Sequence, residues 1–115
     1  MNFVMLIGNL ATDVELREFG EEKVLATFRL AVDRDGKDDE ADFFRVAVWN
    51  GQARTCAEYL VKGRQVAVAG RLRSSTWEDN GEKRSRVEVV ARRVKFLGAQ
   101  SPSGEEVVPF DAAVA

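Results

Sequence analysis

Residues 65 to 98, "QVAVAGRLRSSTWEDNGEKRSRVEVVARRVKFLG", hold two β-rich runs that meet at Asp79-Asn80-Gly81. An Asn-Gly pair accepts the positive φ angles of a tight hairpin turn, so the stretch predicts two long antiparallel strands. A ribbon of this length cannot stand alone in a small protein, because its edges must be paired or covered. The rest of the chain therefore has to supply strands that complete a sheet.

Three such strands are legible. Residues 24 to 32 alternate, with Val24, Ala26, Phe28, Leu30 and Val32 on one side and Arg29 on the other, the period-2 mark of a half-buried strand. "FFRVAVWN" (43 to 50) continues the pattern in a strand placed at 42 to 49. Phe3 to Leu10 is nearly all apolar, as in a strand covered on both faces, and Gly8 within it predicts a bulge or a close backbone approach. One face of that strand is expected to be buried against another subunit. "DRDGKDDEAD" (33 to 42) reads as a polar connection. "QARTCAEYLV" (52 to 61) reads as the one helix, with Cys56, Tyr59 and Leu60 on one face and Gly63 as its stop. Closure removes the edges of so small a sheet, so the expectation is an all-β, five-stranded barrel of the oligonucleotide/oligosaccharide-binding (OB) type. Its short helix lies between the third and fourth strands, and its fourth and fifth strands form the long hairpin.

The chain's 115 residues, 45% of them hydrophobic, suffice for one core. The barrel is assigned to 1–98, and residues 99–115, which lose periodicity and gain Ser, Pro and Gly, to a flexible tail. The first residues lack a basic leader and their apolar run is far short of the ~20 residues that span a bilayer, so a cytoplasmic protein without a membrane segment is expected. Cys56 is the only cysteine and histidine is absent. That composition excludes intrachain disulfides, Cys/His zinc sites and imidazole-based catalysis. The acidic run from Asp33 to Asp42 misses the spacing of a calcium loop and reads as a solvated turn. No cofactor or catalytic residue is expected.

A net charge of -2 conceals an asymmetry: residues 1–42 hold 5 Lys/Arg against 11 Asp/Glu, whereas residues 43–98 hold 12 against 5. A local positive field attracts a polyanion whatever the total. Parity then says where it points. If Phe44, Val46 and Val48 face inward, then Phe43, Arg45, Ala47 and Trp49 face outward. On the next strand Val66, Val68 and Leu72 share the inner parity, and Arg71, Arg73 and Trp77 the outer. Exposed rings beside cations suit unpaired nucleic acid, whose bases stack on any aromatic while guanidinium groups follow the phosphates. Phe43, Trp49 and Trp77 are the candidate stacking residues. Arg29, Arg45, Arg54, Lys62, Arg71, Arg73, Lys83, Arg84 and Arg86 are the candidate phosphate neighbours. The same residue types also serve subunit interfaces, so a protein-interaction module on a primosome-like barrel remains an alternative. A single-stranded RNA binder is another, and a carboxylate-metal phosphohydrolase on the 33–42 loop a more remote one.

"VMLIGNL" (4–10), "FFRVAVWN" (43–50), "AEYLVKGRQVAVAGRLR" (57–73) and "TWEDNG" (76–81) together resemble the bacterial single-stranded-DNA-binding protein family, in order and interval, over about residues 1–98. The resemblance implies an OB barrel, assembled as a homotetramer, that coats single-stranded DNA in replication, recombination and repair without catalysis or sequence preference. It implies a cytoplasmic, nucleoid-associated location. The family's stacking aromatics fall on Phe43, Trp49 and Trp77, and its basic contacts on Lys62 and Arg73. Its subunit contact falls on the first strand, at Phe3, Met5 and Ile7. Members also often carry an aromatic in the loop after the second strand, where this chain is acidic. Glu105, Glu106, Pro109 and Phe110 resemble the acidic Pro-Phe tip through which members recruit replication or repair proteins, although "DAAVA" follows here.

Overall fold

The computed structural model describes residues 1–97 apart from Glu21 and Gly36, and of Lys37 and Asp38 only the backbone. The tail assigned to 99–115, with Glu105, Glu106, Pro109 and Phe110, lies outside the described residues. In chain order the elements are β1 (Val4–Leu10), β2 (Glu15–Phe19), β3 (Lys23–Arg34), β4 (Lys37–Trp49), α1 (Gly51–Tyr59), β5 (Gln65–Asp79) and β6 (Glu82–Phe96).

The strands run β1-β5-β6-β4-β3-β2, and β1 also pairs with β3, which closes the sheet into a ring. β1 meets β3 at Asn9↔Ala31 and Leu10↔Leu30, while β2 pairs with the start of β3 from Phe19↔Lys23 to Glu15↔Thr27. β1 and β2 thus follow one another along a single edge of β3. The ring keeps the five positions of an OB fold although the described residues form six strands. Its one parallel seam joins β4 to β6 at Val46↔Val89, Ala47↔Val90 and Val48↔Ala91. Gly8 sits at the closure, where a Cβ would run into the carbonyl oxygen of Ala31, so only glycine lets β1 approach β3 this closely.

The inward parity of each strand builds the core: Leu10, Val24, Ala26, Phe28, Leu30, Val46, Val48, Val66, Val68 and Val89, closed at one end by Ala53, Cys56 and Leu60 of the helical segment. Their spacing of three and four puts all three on one side of α1. Tyr59, expected on that side, is exposed. Gln52 stitches the helix to β6, its Nε2 donating to Arg92 O at 2.8 Å and its Oε1 accepting from Val94 N at 3.0 Å. This clamp straddles a bulge in β6, where Ala69↔Arg93 is followed by Gly70↔Ala91. No helix among the described residues is long and apolar enough to cross a membrane.

Three further features differ from the sequence reading. β2 was not anticipated. The polar run 33–42 is mostly strand: β3 extends to Arg34 and β4 starts at Lys37. Leu72, given the core parity, is 40% exposed because the β5–β6 ribbon overshoots the barrel, and every residue from Thr76 to Val87 is exposed. The ribbon turns at Asn80 and Gly81 with φ of 54° and 80°, the hairpin geometry that the Asn-Gly pair predicts.

Candidate nucleic-acid interface

The outer parity of the ring assembles one continuous face. Arg29 on β3 lies directly opposite Arg45 on β4. Arg45 Nε donates to Glu88 Oε1 on β6 at 3.1 Å, and Glu88 in turn lies opposite Arg73 on β5, whose terminal nitrogen donates to Glu88 Oε2. Four neighbouring strands therefore carry Arg29, Arg45, Glu88 and Arg73 in one transverse row. Along β4, Phe43 lies on one side of the row and Trp49 on the other, about 20 Å apart at the rise of an extended strand.

The aromatics differ in setting. Phe43 is 52% exposed, with the Arg29 guanidinium 5.2 Å from its ring centre. Trp77 is 41% exposed on the projecting ribbon, with Arg86 5.3 Å from its ring. Trp49 is half-buried and tilts against Phe19 of β2, the ring centres 6.2 Å apart. Stacking a cation on each of the first two rings holds ring and charge together before any ligand arrives. A hollow of about 250 Å³ opens beside the row, lined by Thr12, Asp13, Glu15, Thr27, Arg29 and Arg45.

Glu88 is 5% exposed. Burial is the largest single influence on its carboxyl and pushes the pKa up, but hydrogen bonds from Arg73 and Arg45, with the charges behind them, outweigh it and hold the group below its ordinary value. The three side chains act as a unit with one net positive charge.

The remaining candidates divide. Arg71, exposed and opposite Val90, shares the face with Arg73. Arg54 lies on α1, bound to Glu18 at 2.9 Å, outside the row. Lys62 follows the helix, its backbone N–H held at 2.8 Å by Asp13, one of the residues lining the hollow. Lys83 and Arg84 are on the ribbon, where Arg84 stands 3.6 Å from Asp79 and 3.9 Å from Glu82. On the acidic hairpin Arg34 binds Glu40 and Asp42, and among the described residues no three carboxylates converge as a metal site would require. Two residues of the face escaped the sequence reading. Phe19 sits in "ELREF", whose apolar Leu16 and Phe19 fall on opposite parities and give no strand signal. Glu88 is placed outward by parity between Val87 and Val89, but its two partners depend on the register of a parallel seam.

A separate face is apolar. Phe3, just before β1, and Met5 and Ile7 on its outer side are 57–66% exposed, and a hollow of about 310 Å³ runs from Met5 and Ile7 past Ala67 and Ala69 to Leu97, bordered by Arg93 and Lys95.

The family model described as "Single-strand binding protein family" matches residues 1–97. A "Single-stranded DNA-binding protein" of Clostridium tetani is 44% identical over 114 residues, which cover 92% of this chain and 78% of that protein. One of the same name from Treponema pallidum is 39% identical over 104 residues, covering 86% of this chain but only 59% of its own length. "Single-stranded DNA-binding protein 1" of Chlorobaculum tepidum is 37% identical over 112 residues, covering 90% and 69%.

Proposed function

The chain belongs to the single-strand binding protein family, and from that premise we propose that it binds single-stranded DNA without sequence preference across the face formed by β3, β4, β5 and β6. The observation that carries the reading is the transverse row of Arg29, Arg45 and Arg73 flanked by Phe43, Trp49 and Trp77. Rings offer each base a stacking surface worth roughly 1–3 kcal/mol, and the arginines supply the salt-sensitive remainder. Stacking on rings and contact with phosphates need no recognition of a base edge, which fits binding without sequence preference. The protein is a binding protein and not an enzyme, and its task is to coat strands opened during replication, recombination and repair.

The assembly proposed with it is a homotetramer in which Phe3, Met5 and Ile7 are covered by a second copy. A contiguous apolar surface of this kind, continued by Ala67, Ala69 and Leu97, is what a subunit contact requires. Titration with oligo-dT while following tryptophan emission tests the binding. Stacking quenches the indoles and added salt weakens the complex; unchanged emission at saturating DNA, together with no mobility shift, removes the proposal. Light scattering tests the assembly, and a monomeric mass at micromolar concentration refutes it.

A further inference from the structure

A carboxylate in the middle of a face that binds a polyanion weakens the attraction by its charge, so Glu88 needs a compensating role. Its geometry supplies one. It engages Arg45 through Nε, the inner edge of the guanidinium, and Arg73 through one terminal nitrogen. The terminal nitrogens of Arg45 then make no hydrogen bond within the described protein, and both arginine side chains keep about two fifths of their surface open, 38% and 40%. Held through Nε, the Arg45 guanidinium presents its two terminal nitrogens as a ready fork for phosphate oxygens, whereas Arg73, whose Nε is buried, offers its outer terminal nitrogen. An unheld arginine loses much of its rotamer freedom on binding, and prior fixation removes that cost. The two cations also cover the carboxylate, whose side chain is 6% exposed, so a passing strand meets donors and not the acid.

We propose that Glu88 is a positioning residue of the strand-binding face: it fixes Arg45 and Arg73 side by side so that the outward terminal nitrogens of their guanidinium groups meet the phosphates of a single strand. This rests on the reading of the face as a single-stranded DNA site. Glu88 itself touches no nucleic acid. Glutamine preserves the shape but has one acceptor and turns N–H donors toward one of the arginines, so Glu88→Gln releases at least one guanidinium while adding a unit of positive charge to the face. Charge alone predicts tighter binding, and positioning predicts weaker binding.

The experiment compares binding of end-labelled oligo-dT to the full chain, to Glu88→Gln, to Arg45→Ala and to the double variant, over a series of salt concentrations. Positioning predicts that Glu88→Gln weakens binding about tenfold, the scale of one charge-assisted contact, with no steeper salt dependence. In the Arg45→Ala background the same change costs clearly less than in the wild type, because one of the two groups it positions is gone. Tighter binding, with a salt slope steeper by about 0.7, overturns the inference and makes Glu88 a diluent of the field. Equal losses in both backgrounds also overturn it, since that is the mark of general structural damage. Should Glu88→Gln not fold, Arg45→Lys carries the test: it keeps the charge and loses the fork, so unchanged affinity refutes the proposal. Wild-type affinity is measured first. No wild-type binding overturns the functional reading along with this one, whereas wild-type binding with a tighter Glu88→Gln overturns this one alone.

Discussion

Trp77→Ala separates a stacking ring from a packing ring. Trp77 lies on the ribbon beyond the barrel, in a stretch where every residue from Thr76 to Val87 is exposed, and its one recorded ring partner is Arg86 at 5.3 Å. Its removal leaves no cavity. The expected stability loss is under about 1 kcal/mol, the scale of a surface substitution plus an exposed cation–π contact, against roughly 3–5 kcal/mol for a core tryptophan. Binding loses one base stack, about 1–3 kcal/mol, which raises Kd by roughly 5- to 150-fold at fixed salt. The salt slope stays where it was, because no charge is removed. The variant retains Trp49 as its only tryptophan, so emission still reports the titration while thermal unfolding reports stability. A Kd within about twofold of wild type, or a weakening matched by a loss of several kcal/mol in folding, refutes the assignment of Trp77 to the strand.

Gly8→Ala puts a Cβ against the Ala31 carbonyl at the closure of the ring, and denaturant unfolding should show a loss of about 1–3 kcal/mol. Burial pushes the Cys56 thiol up to about 11, so at pH 8 it stays protonated and shielded, and labelling by a thiol reagent should proceed only at the rate of unfolding. The arginine-bound Glu88 has its pKa depressed from the ordinary 4.5. The stability of wild type relative to Glu88→Gln should therefore be constant above about pH 5 and shrink as pH falls through the folded value; a difference that grows on acidification contradicts the pairing. Met5→Glu with Ile7→Glu sets like charges on the apolar face of β1, and light scattering should show the proposed assembly dissociate while circular dichroism stays unchanged.

The sequence disclosed the parts of the molecule governed by short-range rules. Period-2 alternation separated Val46 and Val48 from Phe43, Arg45 and Trp49, because successive strand residues must face opposite ways. Asn80-Gly81 fixed the ribbon, because few residue pairs accept two positive φ angles. What stayed hidden depends on partners distant in the chain. Leu72 has the parity of a core residue, yet its exposure is set by where the barrel ends. The acidic run at 33–42 opposes strand propensity, and β3 and β4 override it by pairing from Val32↔Asp42 out to Arg34↔Lys37. The Arg45–Glu88 bond spans 43 residues and needs the parallel seam between β4 and β6, which no local pattern announces.

That same long-range pairing changes what the salt dependence of binding should be. Eight of the nine candidate phosphate partners, leaving out Lys83 beside the turn of the ribbon, would if each were free release counterions with a slope of log K against log salt near −5.6. The ion pairs lower this figure. Arg54 is already neutralised by Glu18, Arg84 stands between Asp79 and Glu82, and Arg45 and Arg73 share one net positive charge with Glu88. Counting that triad once and adding Arg29, Lys62, Arg71 and Arg86 leaves five charges facing the strand, for a slope near −3.5. Binding of a short oligo-dT, of about the length one barrel accommodates, should then weaken roughly 100-fold between 50 and 200 mM salt. Arg54→Gln, which removes a charge already paired with Glu18, should leave that slope almost unchanged, while Arg71→Gln should flatten it by about 0.7. A wild-type slope steeper than about −5 would show that phosphate displaces the carboxylates, so that the intramolecular pairs are a reserve of charge which the strand recruits.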